Sequence, residues 1–152
     1  MKGIFPTPAL VLVLFLALAL APAAQAFLGF GKYTAVSSED GLVTIPVADV
    51  SDGQAHYYQM DNAGREIRFF IVKSSDGVIR AAFDACDVCY QSKKGYAQDG
   101  EFMVCSNCGQ RFHSSRINEV KGGCNPAPLA RVEKDGQLLI PVQDIQNGAF
   151  YF

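Results

Sequence analysis

Two C-x-x-C pairs, Cys86/Cys89 and Cys105/Cys108, are separated by the fifteen residues 90–104 in this chain of 152 residues. A C-x-x-C turn aims two sulfurs at one point, and two such turns supply the four thiolates of a tetrahedral ion or a cluster. The separation falls in the C-x₂-C…C-x₂-C window that reads as a metal site. A fifth cysteine, Cys124, lies in the stretch Gly122-Gly123-Cys124-Asn125-Pro126-Ala127-Pro128. Its glycines let backbone approach closely, so Cys124 reads as a fifth ligand, a redox partner for a knuckle thiolate, or a small buried apolar group. His113 follows the second knuckle and could replace one thiolate, but four cysteines leave it no obligatory role. His56 reads as structural, and Lys93-Lys94 as a solvated pair or a steering charge for an anionic partner. Tyr90 and Tyr96 read as shields of the metal or as ordinary packing.

Other cysteine chemistries fit less well. The residues after the two pairs are Tyr90 and Gly109, not the His of a c-type haem attachment. A thiol–disulfide enzyme would set one C-x-x-C in a βαβ context, which the sequence lacks. Plain disulfides suit an exported chain, yet the count is odd and the domain is long enough to build a core without staples.

Several elements must position these residues. Lys2, the apolar run Ala9–Ala21 and Ala24-Gln25-Ala26 form an N-terminal leader, read as a signal peptide over 1–26 cleaved after Ala26. The alternative is an uncleaved anchor through residues 4–23. Either way the protein is expected outside the cytoplasm, on the periplasmic or extracellular side. Residues 27–40 are small, polar and Gly-punctuated, and read as a tether. A single domain is expected over 41–152. Removing residues 1–26 takes away only Lys2, so the remaining 12 Lys+Arg against 15 Asp+Glu give a net charge of −3. Such a balance offers no electrostatic footprint for nucleic acid.

Residues 42–47 and 54–60 read as short strands, with Pro46 placing the first at an edge or strand end. The runs 65–74 and 78–84 flank Asp76-Gly77 and predict a hairpin that delivers Cys86. Gly95 and Gly100 bracket an expected loop, after which 101–105 is a strand delivering the second pair. The Gly122–Pro128 stretch should be a loop near the cysteines, followed by strands on either side of Asp135-Gly136. Ile45-Pro46-Val47-Ala48-Asp49-Val50 is echoed by Ile140-Pro141-Val142-Gln143-Asp144-Ile145. Two such units are expected to face each other across one core rather than to form a repeat array. No long stretch outside the leader has a helical apolar period, so the fold class is mainly β.

The knuckle Cys105-Ser106-Asn107-Cys108-Gly109 resembles the turns of zinc ribbons and rubredoxins. VCSNCGQRF followed by GGCNPAPL also resembles the second box of Rieske proteins, with Cys89 and Cys108 standing where those proteins have histidine. An all-thiolate cluster implies a potential nearer about −400 mV than the −150 to +300 mV of Rieske centres. Over nearly the whole mature chain, FDACDVCYQSKKGYAQDGEFMVCSNCGQRF with GGCNPAPL resembles the FtrD-like family of membrane-associated iron–sulfur proteins. That resemblance implies an iron–sulfur cluster or iron on Cys86, Cys89, Cys105 and Cys108, with Cys124 nearby. It also implies a carrier rather than an enzyme, acting in electron transfer or metal handling with a membrane permease or redox partner of ferrous-iron uptake. The leader has no Arg-Arg before its apolar run, so it gives no signal for export of a prefolded, metal-loaded chain. A binding module with structural zinc is the alternative.

Overall fold

The computed structural model describes residues 31–152, so the leader over 1–26 and the start of the tether lie outside the described residues. The expected mainly-β fold is what these residues form, in three small sheets. Nine residues, Arg65–Lys73, make the longest strand, β4, and it organises the others. It is hydrogen-bonded between β3 (His56–Asn62) and β5 (Ile79–Phe83), with β1 (Thr34–Ala35) added parallel to β3 at the edge. Because side chains alternate across a strand, β4 feeds two cores at once. Ile67, Phe69 and Ile71 point to one side, while Phe70 and Val72 point to the other, and all five are buried. That double burial explains the near-continuous apolar run REIRFFIV.

The larger core lies between this sheet and a second one, ordered β2 (Leu42–Pro46), β10 (Gln137–Pro141), β9 (Val132–Lys134). Here the sequence echo becomes a local two-fold. β2 and β10 pair antiparallel so that Val43↔Ile140 and Ile45↔Leu138 exchange under the echo, with Thr44↔Leu139 on its axis. Val47 N–H donates to Gly136 O and Val142 N–H to Gly41 O, each at 2.9 Å. After its Ile-Pro, each copy turns helical: a 3₁₀ turn at Val47–Val50 and a short helix α1 at Val142–Asn147. Proline fixes φ near the helical value and ends the strand, which is why the turn starts there in both copies. Six residues are too few to show an apolar period, so the sequence carries no periodic signal for α1. Val50 and Ile145, equivalent in the echo, are both fully buried. The aromatics after the copies divide, Tyr58 and Tyr151 being buried and Phe150 exposed.

The smaller core lies between the first sheet and a third, β6 (Tyr96–Asp99), β7 (Phe102–Cys105), β8 (Arg111–His113). Its buried members include Cys86, Cys105, Tyr96, Met103 and Ile117, so the cysteines are part of the packing. Here one expectation is corrected. Between Gly95 and Gly100 the residues Tyr96–Asp99 form a strand and not a loop, because Tyr96 pairs with Cys105 and buries its ring. The described part of the expected tether is also bound: Thr34 and Ala35 pair with Tyr58 and Gln59, and Val36 N–H donates to Gln59 O.

Candidate metal centre

Each knuckle is delivered by the end of a strand. β5 ends at Phe83, and Asp84-Ala85 lead into Cys86; β7 ends at Cys105 itself. Each turn presents one buried and one outer sulfur. Cys86 and Cys105 are 1% and 2% exposed, Cys89 is half-buried and Cys108 is exposed.

The sulfurs form two overlapping sets. Cys86, Cys89 and Cys124 have their Sγ atoms within 4.8 Å of one another, as do Cys89, Cys105 and Cys108. Cys89 belongs to both. The two turns predicted from spacing therefore meet through Cys89, and Cys124 joins them with its sulfur 3.8 Å from that of Cys89. The Gly122–Pro128 loop lies beside the cysteines as expected, held by Tyr96, whose hydroxyl donates to Cys124 O at 2.6 Å. Pro128 bridges to Ala82, and Ala127 N–H donates to Ala85 O just before Cys86.

Amide groups point at the sulfurs. Cys89 N–H donates to Cys86 Sγ at 3.2 Å, and the Asn107 side-chain amide donates to Cys89 Sγ at 3.4 Å. Backbone N–H groups of Cys108 and Asn107 face Cys105, and that of Gln110 faces Cys108. Gly109 has a positive φ, 74°, where the knuckle turns, and its N–H donates to Cys105 O at 2.8 Å. The Gln110 amide holds the exposed Cys108 thiol below its ordinary pKa, whereas burial pushes Cys105 up to about 11. Burial, with the neighbouring sulfurs, pushes Cys124 up to about 12. Negative charge on several adjacent sulfurs is unfavourable without a cation among them.

Asp84, two residues before Cys86, is the residue that sequence reasoning missed. Its buried carboxylate accepts from Tyr96 N–H, from Lys32 Nζ and from the Tyr33 hydroxyl, each at 2.6 Å. Tyr96 in turn pairs with Cys105, so one carboxylate ties the strand carrying the first knuckle to the sheet carrying the second. Lys32 also donates to Tyr96 O at 2.7 Å and lies 4.1 Å from the Tyr57 ring centroid. Segment 31–36 is thus bolted to the back of the centre. The only signal in the sequence was an acidic residue closing a strand that is apolar apart from Arg80.

The other candidates take structural places. His113 contacts Ser115 Oγ at 2.8 Å and Glu101 at 3.3 Å, and belongs to neither sulfur set. His56 pairs with Asp52 at 2.8 Å. Lys93 Nζ donates to Tyr151 O at 3.0 Å. Tyr96 is buried against the sulfurs and Phe112, whereas Tyr90 packs with Phe150 and Tyr151. A cavity of about 10 Å³ beside Cys86, Cys89 and Cys105 has room for little more than one water-sized sphere.

Fold and site together define a small β domain with a cysteine-rich centre on paired C-x-x-C turns. Residues 50–152 match the family described as membrane iron–sulfur containing protein FtrD-like, and this chain belongs to that family. Two solved structures of the quaternary ammonium Rieske monooxygenase CntA are similar in part. The one with inhibitor MMV12 shares 15% identity over 65% of this chain, with a TM-score of 0.44. The one with gamma-butyrobetaine shares 15% over 64%, with a TM-score of 0.43. Both matches span about 30% of the monooxygenase chain. A search of curated proteins found no match. Among the described residues no helix is long and apolar enough to cross a membrane.

Proposed function

We propose that this protein carries electrons or iron at an extracytoplasmic membrane surface, through an iron–sulfur or iron centre held by Cys86, Cys89, Cys105 and Cys108. The observation that carries the reading is the meeting of both C-x-x-C turns at Cys89. The donor set fits the group, being all soft thiolate with amides directed at sulfur. Iron on such ligands supplies a one-electron redox couple. The chain's own residues do the rest. Tyr96 keeps water from the inner sulfurs, Asp84 fixes the distance between the turns, and the amides offset thiolate charge. Cys108 and half-buried Cys89 form the outer edge, beside Val88, which is 64% exposed. An exposed edge with an apolar neighbour suits contact with a redox partner, for which a membrane permease or reductase of ferrous-iron uptake is the proposal.

A structural zinc site is the second reading. Thiolates around one tetrahedral ion lie about 3.8 Å apart when metal–sulfur bonds are about 2.3 Å, and sulfurs within 4.8 Å of one another in each set of three are compatible with a single ion as well. Anaerobic purification, iron, sulfide and zinc analysis, and an absorption spectrum separate the two. Coloured protein containing iron supports the carrier; colourless protein with one zinc overturns it.

A further inference from the structure

The odd cysteine gives the centre a dithiol that belongs to neither C-x-x-C pair. The sulfur–sulfur contact at 3.8 Å joins Cys89 in the first knuckle to Cys124 in the Gly-Pro loop. Both residues are half-buried, so a small disulfide or a dithiol protein can reach them. The inner partners are less available, since Cys86 and Cys105 are almost wholly buried and Cys86 Sγ already accepts from Cys89 N–H. Cys124 is also held in register. Its carbonyl accepts from Tyr96, Asn125 is hydrogen-bonded to Val120, and Ala127 is bonded to Ala85. A bond of about 2.05 Å would need the two sulfurs to close by under 2 Å, which side-chain rotation can supply.

We propose that Cys89 and Cys124 form a reversible disulfide in the metal-free protein, and that this bond shuts the centre until a dithiol donor reduces it. The chemistry is thiol–disulfide exchange with a disulfide oxidant such as oxidised glutathione. One of the two thiols loses its proton and attacks the oxidant, forming a mixed disulfide and releasing one glutathione thiolate. The second protein thiolate attacks the mixed disulfide at the protein sulfur, forms the Cys89–Cys124 bond and releases the second glutathione. Two electrons pass from the protein to the oxidant, and the two protons end on the two glutathione thiols. Cys89 is the sulfur common to both sets, so tying it up removes a ligand from each. The shutting of the centre rests on the reading of Cys89 as a ligand; the disulfide itself does not. Metal loading then requires reducing equivalents, which protects the thiols from irreversible oxidation in an oxidising compartment.

The test uses the full chain, reduced, stripped of metal anaerobically, exposed to oxidised glutathione and quenched with N-ethylmaleimide. Peptide mass analysis should find the earliest internal linkage between the Cys89 and Cys124 peptides. Zn²⁺ uptake, read with a competing chelator dye, should fall at least tenfold and return after dithiothreitol. Cys124→Ser protein given the same oxidant dose should keep most of its Zn²⁺ uptake. A first linkage other than Cys89–Cys124, those through the exposed Cys108 included, the absence of any linkage, or equal loss of uptake in Cys124→Ser overturns the proposal. If the linkage forms but reduced protein takes up no metal, the disulfide stands and the reading of the centre as a metal site fails.

Discussion

At the scale of single residues, the five sulfurs differ in what they can do although their types are the same. Cys108 is exposed and its thiol is held below its ordinary pKa by the Gln110 amide, while Cys105 is buried and shifted up to about 11. A lowered pKa puts more thiolate at neutral pH, and the thiolate is the nucleophile. In reduced, metal-free protein, iodoacetamide should therefore label Cys108 first. Its rate should reach half-maximum below the ordinary thiol value, whereas buried Cys105 should gain reactivity only in alkali. Peptide mapping across a pH series checks this, and labelling of Cys105 or Cys124 ahead of Cys108 at pH 7 contradicts it. The cysteines that meet at the site were legible because the paired spacing brings two turns together. Asp84 was not, because its partners Lys32, Tyr33 and Tyr96 lie 52, 51 and 12 residues away. Replacing Asp84 with Asn leaves one acceptor oxygen for three donors, and should cost about 2–3 kcal/mol by loss of charge-assisted hydrogen bonds. Urea unfolding measures the loss, and metal affinity should fall with it, since both turns lose their common brace.

At the scale of elements, close approach decides which changes the fold tolerates. Gly95 sits at φ +65, and a Cβ there would press into the Asp84 carboxylate. Gly95→Ala should thus destabilise by about 2–4 kcal/mol through backbone strain and overpacking, with a lower urea midpoint as the readout. The hairpins and the loop near the cysteines were legible from turn residues and β-branched runs. The strand at Tyr96–Asp99 was hidden, because two flanking glycines signal a loop and the compensating contact is a single tyrosine inserted under Cys105. The echo was legible as a likeness, but its consequence, a two-fold about Thr44↔Leu139, depends on strand register that the sequence does not encode locally. Ile45 and Ile140 occupy equivalent buried places, so either changed to Ala should cost about 2–5 kcal/mol. Because the echo packs in the core remote from β7, neither should alter the metal-to-protein ratio of protein that remains folded. A large change in that ratio would show the two cores to be coupled.

For the whole molecule, the architecture is one central sheet serving two cores, an apolar one and one that contains the cysteines. A metal that joins both turns contributes its binding energy to folding of the second core. Chelation under reducing conditions should therefore lower the thermal midpoint and open the 84–112 region to hydrogen exchange, while β2 and β10 stay protected. Uniform loss of protection would show that the first core cannot stand alone. The central claim, that both C-x-x-C turns bind one all-thiolate centre, is tested most directly by X-ray absorption at the edge of whichever metal the protein carries. The account predicts a nearest shell of sulfur alone, at about 2.3 Å. A shell containing nitrogen or oxygen at one or more atoms per metal would contradict it, by bringing in His113 or solvent where a cysteine should be.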